Sequence, residues 1–370
     1  MLKIFPVLFA AILFLPSLSV ARQDLDRVFS QAIEAVGSEK DIARVRSISA
    51  TADCLGPRGA YTTSIESFRN SKTRFEQRFS YKPEVVDLLV NGDSVWSSQN
   101  GNAIAASPMQ RMMARAHEYQ MIVFDFKRYF REPRAAGIEL FEGRPNTKVS
   151  ALNELGMTAH LFFDSETKRL NGYVLDIPNS SETVRNVFVE WKRVGHLMLP
   201  SVVKAVDNQG EWMLRFHTIR LNKANEDLLA VPTNVADHFE LLRFHEAQKT
   251  AHLSYDADRF VEMFADKLTQ IQGGRVFERS RAQSLDRFKK YFSSYQFKEW
   301  EDTAAPTIKI SKDGTLAYKI VQKRVRGTYT YGDGKTEEDH TVFAWIEVWE
   351  KIDGRWKVTA IASTDRKGEP

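Results

Sequence analysis

The sequence predicts a two-domain α+β protein in which each domain pairs an antiparallel sheet with a few helices. Three observations predict it. A chain of 370 residues is longer than one hydrophobic core ordinarily organises. Between residues 45 and 222, short alternating segments and turn residues dominate, with helical spacing only before them and once among them. Beyond residue 236 helical patterns come first and alternating ones follow, the order of an α+β domain.

Composition sets the outer limits. Hydrophobic residues make up 43% and charged residues 27%, as in an ordinary globular protein. The formal net charge is +4, from 52 Lys+Arg against 48 Asp+Glu. That excess is too small to imply nucleic acid, and it allows at most transient contact with an anionic membrane. The opening stretch is distinct. Lys3 precedes an apolar run from Ile4 to Leu15, Pro16 breaks it, and Ser19 and Ala21 supply small residues. This is the order of a secretory signal over residues 1–21, cleaved after Ala21, and the run is short for a membrane span. The mature protein is expected in the periplasm or secreted. Cys54 has no partner in the chain, and nothing near it in sequence lowers its pKa, so a packed, inert thiol is expected.

The elements follow in order. "DLDRVFSQAIEAV" places Leu25, Val28, Phe29, Ala32 and Val36 at helical spacing, with Gly37 as the stop. "VRSISATADC", "GAYTTSIESFRN" and "KTRFEQRFSYK" alternate as strands. A hairpin turns through Asn91-Gly92-Asp93, and another turn falls at Asn100-Gly101. "SPMQRMMARAHEYQMIVFDFKRYF" reads as one helix, capped by Ser107 with Pro108 in its first turn. More strands follow, with turns at Asp164 to Asn171, at Gly195 and at Asp207 to Gly210. In "EWMLRFHTIRL", Trp212, Leu214 and Phe216 share an apolar face; in "VRNVFVEWKRV", Val187, Val189 and Trp191 do.

From the strand "EWKRVGHLMLPSVVKAVDNQGEWMLRFHTIRLN", with its bend at Leu199-Pro200, to Pro232, the chain resembles the closing strands of the bacterial lipoprotein-carrier and outer-membrane lipoprotein-sorting (Lol-type) family. The resemblance spans about residues 22–235. It implies a curved antiparallel half-barrel with helices, whose apolar hollow accepts acyl chains. Val189, Trp191, Trp212, Leu214 and Phe216 are the expected ligand contacts there.

Residues 236–252 read as a linker helix, and 253–370 as a second domain. "SYDADRFVEMFADKLTQIQ" is amphipathic, with Phe260, Met263, Phe264 and Leu268 on one helical face. "SRAQSLDRFKKYFSSY" gives another helix. "QFKEWEDT", "PTIKISKDGTLAYKIVQKRVRGTYTYGDGK" and "VFAWIEVWEKIDGRWKVTAIASTD" then read as strands. With Asp353-Gly354 as a two-residue turn, Glu350 faces Lys357 and Trp349 faces Val358. The same register puts Phe343, Trp345, Glu347 and Trp349 on one face with Val358, Ala360 and Ala362. "DADRFVEMFADKL", the "SKDGTLAYKIVQKRV" strand pair and the "DGRWKVTAI" hairpin resemble the nuclear transport factor 2-like (SnoaL-like) family over about 250–366. That resemblance implies helices followed by a curved sheet forming a cone, a fold that includes isomerases and dehydratases.

Several local patterns carry no chemistry. "GDGKT" at 332–336 has strand flanks and lacks the phosphate-loop glycine, so it reads as a hairpin loop. His238, His245 and His252 are spaced by seven, about 10.5 Å apart along a helix, too far to share a metal. Asp256 and Asp258 suit a helix start. No metal or cofactor is expected.

The leading reading is an exported, non-enzymatic binding protein for a lipid or other apolar ligand, in the outer-membrane lipid or lipoprotein handling that the first resemblance implies. Trp300 and Trp345 are expected to contact a ligand in the cone, and the last sheet is a candidate homodimer surface. The alternative is an enzyme of the isomerase, dehydratase or hydrolase type acting on a small hydrophobic molecule through Glu347, with Tyr318 and His340. Against it stands a Glu347 paired with a Lys or Arg, for example from "QKRVR". A third reading is a structural partner in the cell envelope.

Overall fold

The computed structural model describes residues 17–81, 85–99, 102–177 and 180–367 and, within them, all side chains but those of 17–24, Gln99 and Asn102. The leader expected over residues 1–21 falls outside these side chains, and the turn expected at Asn100-Gly101 falls outside the described residues. The chain divides into two compact units, Met1–Asn102 with Ala106–Ala230, and Ala103–Ala105 with Val231–Pro370.

In the first unit α1 (Ser17–Val36) and α2 (Glu39–Ala43) lead into β1 (Ser47–Gly56), β2 (Gly59–Phe68), β3 (Lys72–Phe79), β4 (Val85–Asn91), β5 (Ser94–Gln99) and β6 (Asn102–Ala105). Two helices follow, α3 (Pro108–Ala116) and α4 (Tyr119–Asp125). The return run is β7 (Arg131–Phe141), β8 (Arg144–Leu152), β9 (Thr158–Asp164), β10 (Leu170–Asp176), β11 (Thr183–Val194), β12 (Leu197–Asp207) and β13 (Gly210–Leu221). The strands form one sheet in the order β6-β5-β4-β3-β2-β1-β13-β12-β11-β10-β9-β8-β7. Two meanders are thus joined where β13 pairs antiparallel with β1, Ile48 opposite Leu221.

The sheet curves around α4, whose residues Tyr119 to Phe124 are all buried. A helix buried on every side belongs in a core, and its one buried amide, Gln120, must find a partner there. Tyr119 meets Phe188 and Phe216 edge-on, each at 6.2 Å. Its hydroxyl donates to Asn186 Oδ1 at 3.2 Å, and Gln120 Nε2 donates to the Pro200 carbonyl at 3.1 Å. The single helix predicted over 107–130 breaks at His117-Glu118. The break carries Glu118, fully buried, onto the hydroxyls of Thr73 and Tyr129, which both donate to it. Arg115 Nε stands 3.8 Å away, and burial pushes the Glu118 carboxyl up. The expected cap is present: Ser107 and Gln110 form a reciprocal capping box.

Two features of this unit escaped the sequence pattern. β7 is exposed from Arg131 to Leu140 and slips register twice against β8, so it shows no alternation. β11 bulges between Phe188 and Trp191. The bulge leaves Val189 unpaired and 47% exposed while Phe188 is buried, so the apolar face expected for Val187, Val189 and Trp191 changes sides partway.

The second unit comprises α5 (Thr233–Leu253), α6 (Ala257–Glu262), β14 (Phe264–Gln272), β15 (Arg275–Ser280), α7 (Arg281–Ser294), β16 (Tyr295–Asp302), β17 (Thr307–Ile310), β18 (Leu316–Thr330), β19 (Thr336–Ile352) and β20 (Arg355–Lys367). Its sheet runs β15-β14-β20-β19-β18-β16, with β17 also on β18. The helix expected as a linker at 236–252 is α5, and its Leu241 and Ala251 sit in this unit's core with Phe260, Leu268 and Trp349. The amphipathic helix expected through Gln272 stops at Glu262. From Phe264 the chain is a strand that pairs in parallel with β20, an exception among antiparallel partners. Phe264 and Leu268, four apart, remain fully buried across a break in that pairing, so a helical spacing survives inside a strand. The Asp353-Gly354 turn is as expected: both φ angles are positive, at 50° and 76°, and Ile352 pairs with Arg355. At Gly327 a Cβ would stand 2.3 Å from the Tyr295 ring, so glycine is required where β18 pairs with β16.

Tyr119→Ala should cost about 3–5 kcal/mol by emptying the centre of the first unit. Tyr119→Phe should cost only the hydroxyl bond, about 1 kcal/mol. Urea midpoints of the two variants check this; equal losses would contradict the placement of α4.

Candidate functional site

The second unit holds a cone about 190 Å³ in volume between its sheet and helices. Inward residues of β18 are Ala317, Lys319, Val321, Lys323 and Val325, an unbroken buried alternation. Two of those five are lysines, each fully buried. Lys319 meets Glu347 on the neighbouring strand β19, Nζ to Oε2 at 3.0 Å. Glu347, 2% exposed, also accepts from Gln248 Nε2 at 3.2 Å, Trp345 Nε1 at 2.8 Å and Trp349 Nε1 at 2.9 Å. A carboxylate offers about four lone-pair sites, and four donors fill them. Lys319 also donates to Gln248 Oε1 at 2.6 Å, which closes the ring of contacts. Burial lowers the Lys319 pKa against the pull of Glu347.

Four residues further along β18, Lys323 pairs with Asp302 of β16 at 2.6 Å, and His245 Nε2 lies 2.9 Å from the other Asp302 oxygen. Burial pushes Asp302 up, but Lys323 and His245 outweigh it and hold its carboxyl below the usual range. Burial, with Lys319 nearby, depresses His245. His245, Glu246 and Asp302 bring donor atoms within 4.8 Å of one another. Lys323 already supplies the positive charge a metal would bring there. His252 is separate: its Nδ1 donates to the Gln248 carbonyl at 2.8 Å, and its ring stacks on Trp300 at 4.2 Å. Burial drives its pKa down to about 4.

The proposed catalytic set is not assembled. Tyr318 and His340 lie out of phase with Lys319 and Glu347 on their strands, so they occupy the opposite face of the sheet. Each acceptor site of Glu347 is already engaged by Gln248, Trp345, Trp349 or Lys319, so none is left free to face a ligand. Its partner is Lys319, rather than a residue of "QKRVR". Trp300 and Trp345 do share the cone, their rings 6.2 Å apart. Beyond Trp349, β20 bulges at Thr359, so Ile361 and Ser363 face the cone where Ala360 and Ala362 were expected. Sequence reasoning missed Lys319 and Gln248, weighed His252 only as a metal ligand, and took Lys323 only within "QKRVR" as a partner for Glu347. The signal was the phase of Ala317, Val321 and Val325, which the two lysines share.

The first unit carries a cleft of about 650 Å³ between α1, the segment after α4, and β7 to β9. The buried Phe29, Phe126, Phe130, Val149 and Leu161 form its floor, and the exposed Lys127, Arg131, Arg134 and Asp26 stand at its lip. Val149 and Leu161 show almost no surface, so the floor is a narrow apolar strip. The five expected ligand contacts lie elsewhere. Leu214 and Phe216 are buried, Phe216 against Tyr119; Trp191 packs on Phe188 and under Arg169; Trp212 covers Gly56; Val189 is at the bulge. Cys54 is 3% exposed, and burial pushes its thiol up to about 12, which agrees with an inert packed residue. Among the described residues no helix is long and apolar enough to cross a membrane.

No family model and no curated protein matches the sequence. Solved structures do. A LolA superfamily protein from Nitrosomonas europaea is 12% identical, with 56% of this chain and 97% of that one covered and a TM-score of 0.42. An NTF2-like protein from Cytophaga hutchinsonii is 19% identical over 34% of this chain and 96% of that one, with a TM-score of 0.29. An NTF2-like superfamily protein from Salmonella enterica is 15% identical over 37% and 96%, with a TM-score of 0.31. Resemblance to both families is therefore found among known structures.

Glu347→Gln should destabilise the second unit by about 3–5 kcal/mol, because it leaves Lys319 buried without its counter-charge. Adding Lys319→Met should restore much of that loss. Urea denaturation decides, and a single variant as stable as the parent would refute the clamp. His252 adds a pH dependence. It titrates near 6.5 when unfolded and at about 4 when folded. Between those values the unfolded chain holds more protons, so stability falls as pH drops from 6.5 to 4. The slope should approach ~1.4 kcal/mol per pH unit. His252→Phe should flatten it, and an unchanged slope would count against the assignment.

Proposed function

We propose that this chain is an exported, non-catalytic protein that holds an apolar chain, such as the acyl tail of a lipid, in the cleft of its first unit. The observation that supports this reading best is the cleft itself. Its volume, about 650 Å³, falls within the range of small-molecule sites, and its floor is aromatic and aliphatic. The lip supplies cations where a polar head would emerge. Beside it, β7 is an edge strand with two register slips, and its Ile138 and Leu140 are 77% and 72% exposed. Such a strand can shift to admit a chain at small cost in lost pairing. The hollow's centre is not part of the proposed site, because α4 fills it.

Export rests on the order of Lys3, the Ile4–Leu15 run and the small residues Ser19 and Ala21. A second copy is the proposed partner of the outer face of β18, where Leu316, Tyr318 and Ile320 are each between 38% and 46% exposed. The enzymatic alternative loses its base, since Glu347 is saturated by donors.

Native mass spectrometry of the full protein, expressed with its leader and recovered from the periplasm, tests all three parts. The expected result is a dimer whose chains begin after Ala21 and release lipid on extraction. Ala135→Trp, on the exposed strand that borders the cleft, should weaken binding of a fluorescent fatty acid at least tenfold without altering the melt. An uncleaved cytoplasmic monomer free of lipid, with fatty-acid binding indifferent to Ala135→Trp, would overturn the proposal.

A further inference from the structure

The cone of the second unit has a charge arrangement that its own residues do not neutralise. At its mouth Arg287, on α7, donates from Nη1 to Gln270 Oε1 at 2.9 Å. Arg279, on β15, donates from its own Nη1 to the same oxygen. Two guanidinium groups thus converge on one neutral acceptor. Among the described residues no carboxylate pairs with either. Asp286, next to Arg287 in sequence, is 2.9 Å from Lys290, and Asp266 is 2.9 Å from Arg281. Glu278 is exposed and alternates to the other face of β15 from Arg279. Partial burial and the Arg279 charge together hold Arg287 below the ordinary arginine range. Like charges brought together without a counter-ion are stabilised by an anion.

The remaining walls say what kind of anion. Arg287, Gln270, Phe288, Tyr291, Trp300 and Trp345 all line the cone. Aromatic faces and edges pack best against another ring. An apolar cavity of roughly 150 Å³ accommodates benzene, so the 190 Å³ here suits one ring with a short polar arm. Arg287 commits one of its five N–H donors to Gln270 and keeps others for a planar, two-oxygen acceptor. Gln270 gives its oxygen to the arginines and keeps its amide N–H groups as donors.

We propose that the cone binds a small single-ring aromatic carboxylate, with the ring among Phe288, Tyr291, Trp300 and Trp345 and the carboxylate on Arg287, backed by Arg279. The floor takes no part beyond shape, because the Glu347–Lys319 pair is closed. The site is therefore one of binding, in a different unit from the acyl-chain cleft and independent of it.

The test titrates the full-length protein with phenylacetate by calorimetry. Phenylacetamide, the neutral analogue, and acetate, the anion without a ring, are the controls. Phenylacetate should bind at least tenfold more tightly than either. Arg287→Gln should weaken phenylacetate at least tenfold and leave phenylacetamide unchanged, and Arg279→Gln should weaken it about threefold, with melts showing both variants folded. Ala135→Trp should change nothing. Phenylacetamide binding as tightly as phenylacetate, or an unaffected Arg287→Gln, would refute the anion site. Acetate binding as tightly as phenylacetate would refute the aromatic one. Loss of binding in Ala135→Trp would move the probe to the other unit and overturn the proposal.

Discussion

In each unit a glutamate closed off from water ties helix to sheet, and much of the architecture follows from satisfying it. Glu347 joins β19 to α5 through Gln248 and to β18 through Lys319. Glu118 joins the α3–α4 break to β3 through Thr73 and to the segment after α4 through Tyr129. A charge buried without partners costs several kcal/mol, so such a residue is kept only where donors surround it. The two cases differ in the donor. Glu347 has a lysine at 3.0 Å, whereas the arginine nearest Glu118 stands at 3.8 Å and hydroxyls make the close contacts. Burial accordingly raises the Glu118 carboxyl.

Satisfaction has a chemical consequence. A general base needs a free lone pair facing the substrate, and enough freedom to exchange one partner for another. Glu347 has neither. Its two indole donors come from the residues two before and two after it on the same strand, so they are fixed by the pleat itself. What reads in sequence as a carboxylate desolvated between tryptophans is a carboxylate solvated by them.

Much of the fold was legible because it was written in local signals. The Ser107 cap, the Asp353-Gly354 turn and the Glu350–Lys357 register each depend on a few neighbouring residues. The errors have local causes too. β14 carries Phe264 and Leu268 four apart, so it mimics a helix until its parallel partner β20 is known. β7 is bulged and exposed, so no period survives in it. At Val189 and at Thr359 one extra residue flips every side chain beyond it, and an alternation counted along the chain then names the wrong face. The buried lysines were hardest to see, since both phases of "LAYKIVQKRV" contain polar residues. Only the pairing of Lys319 with Glu347, 28 positions away, shows which phase is inside.

The placement of charge also orders the two hollows. In the cone, the deep lysines are each matched by a carboxylate, and the unmatched cations stand at the mouth on α7 and β15. In the cleft, the floor is apolar, and Lys127, Arg131 and Arg134 stand at the lip. Lys127 lies over the Phe29 ring with Nζ 5.4 Å from its centre, an arrangement that keeps a cation at an apolar edge without a carboxylate. Either gradient favours a molecule that enters with its apolar part first and leaves an anionic group at the entrance. A neutral apolar molecule would gain the burial but not the charge, and a small anion the charge but not the burial. On the two proposed readings, selection in both hollows would come from requiring the two together in one ligand.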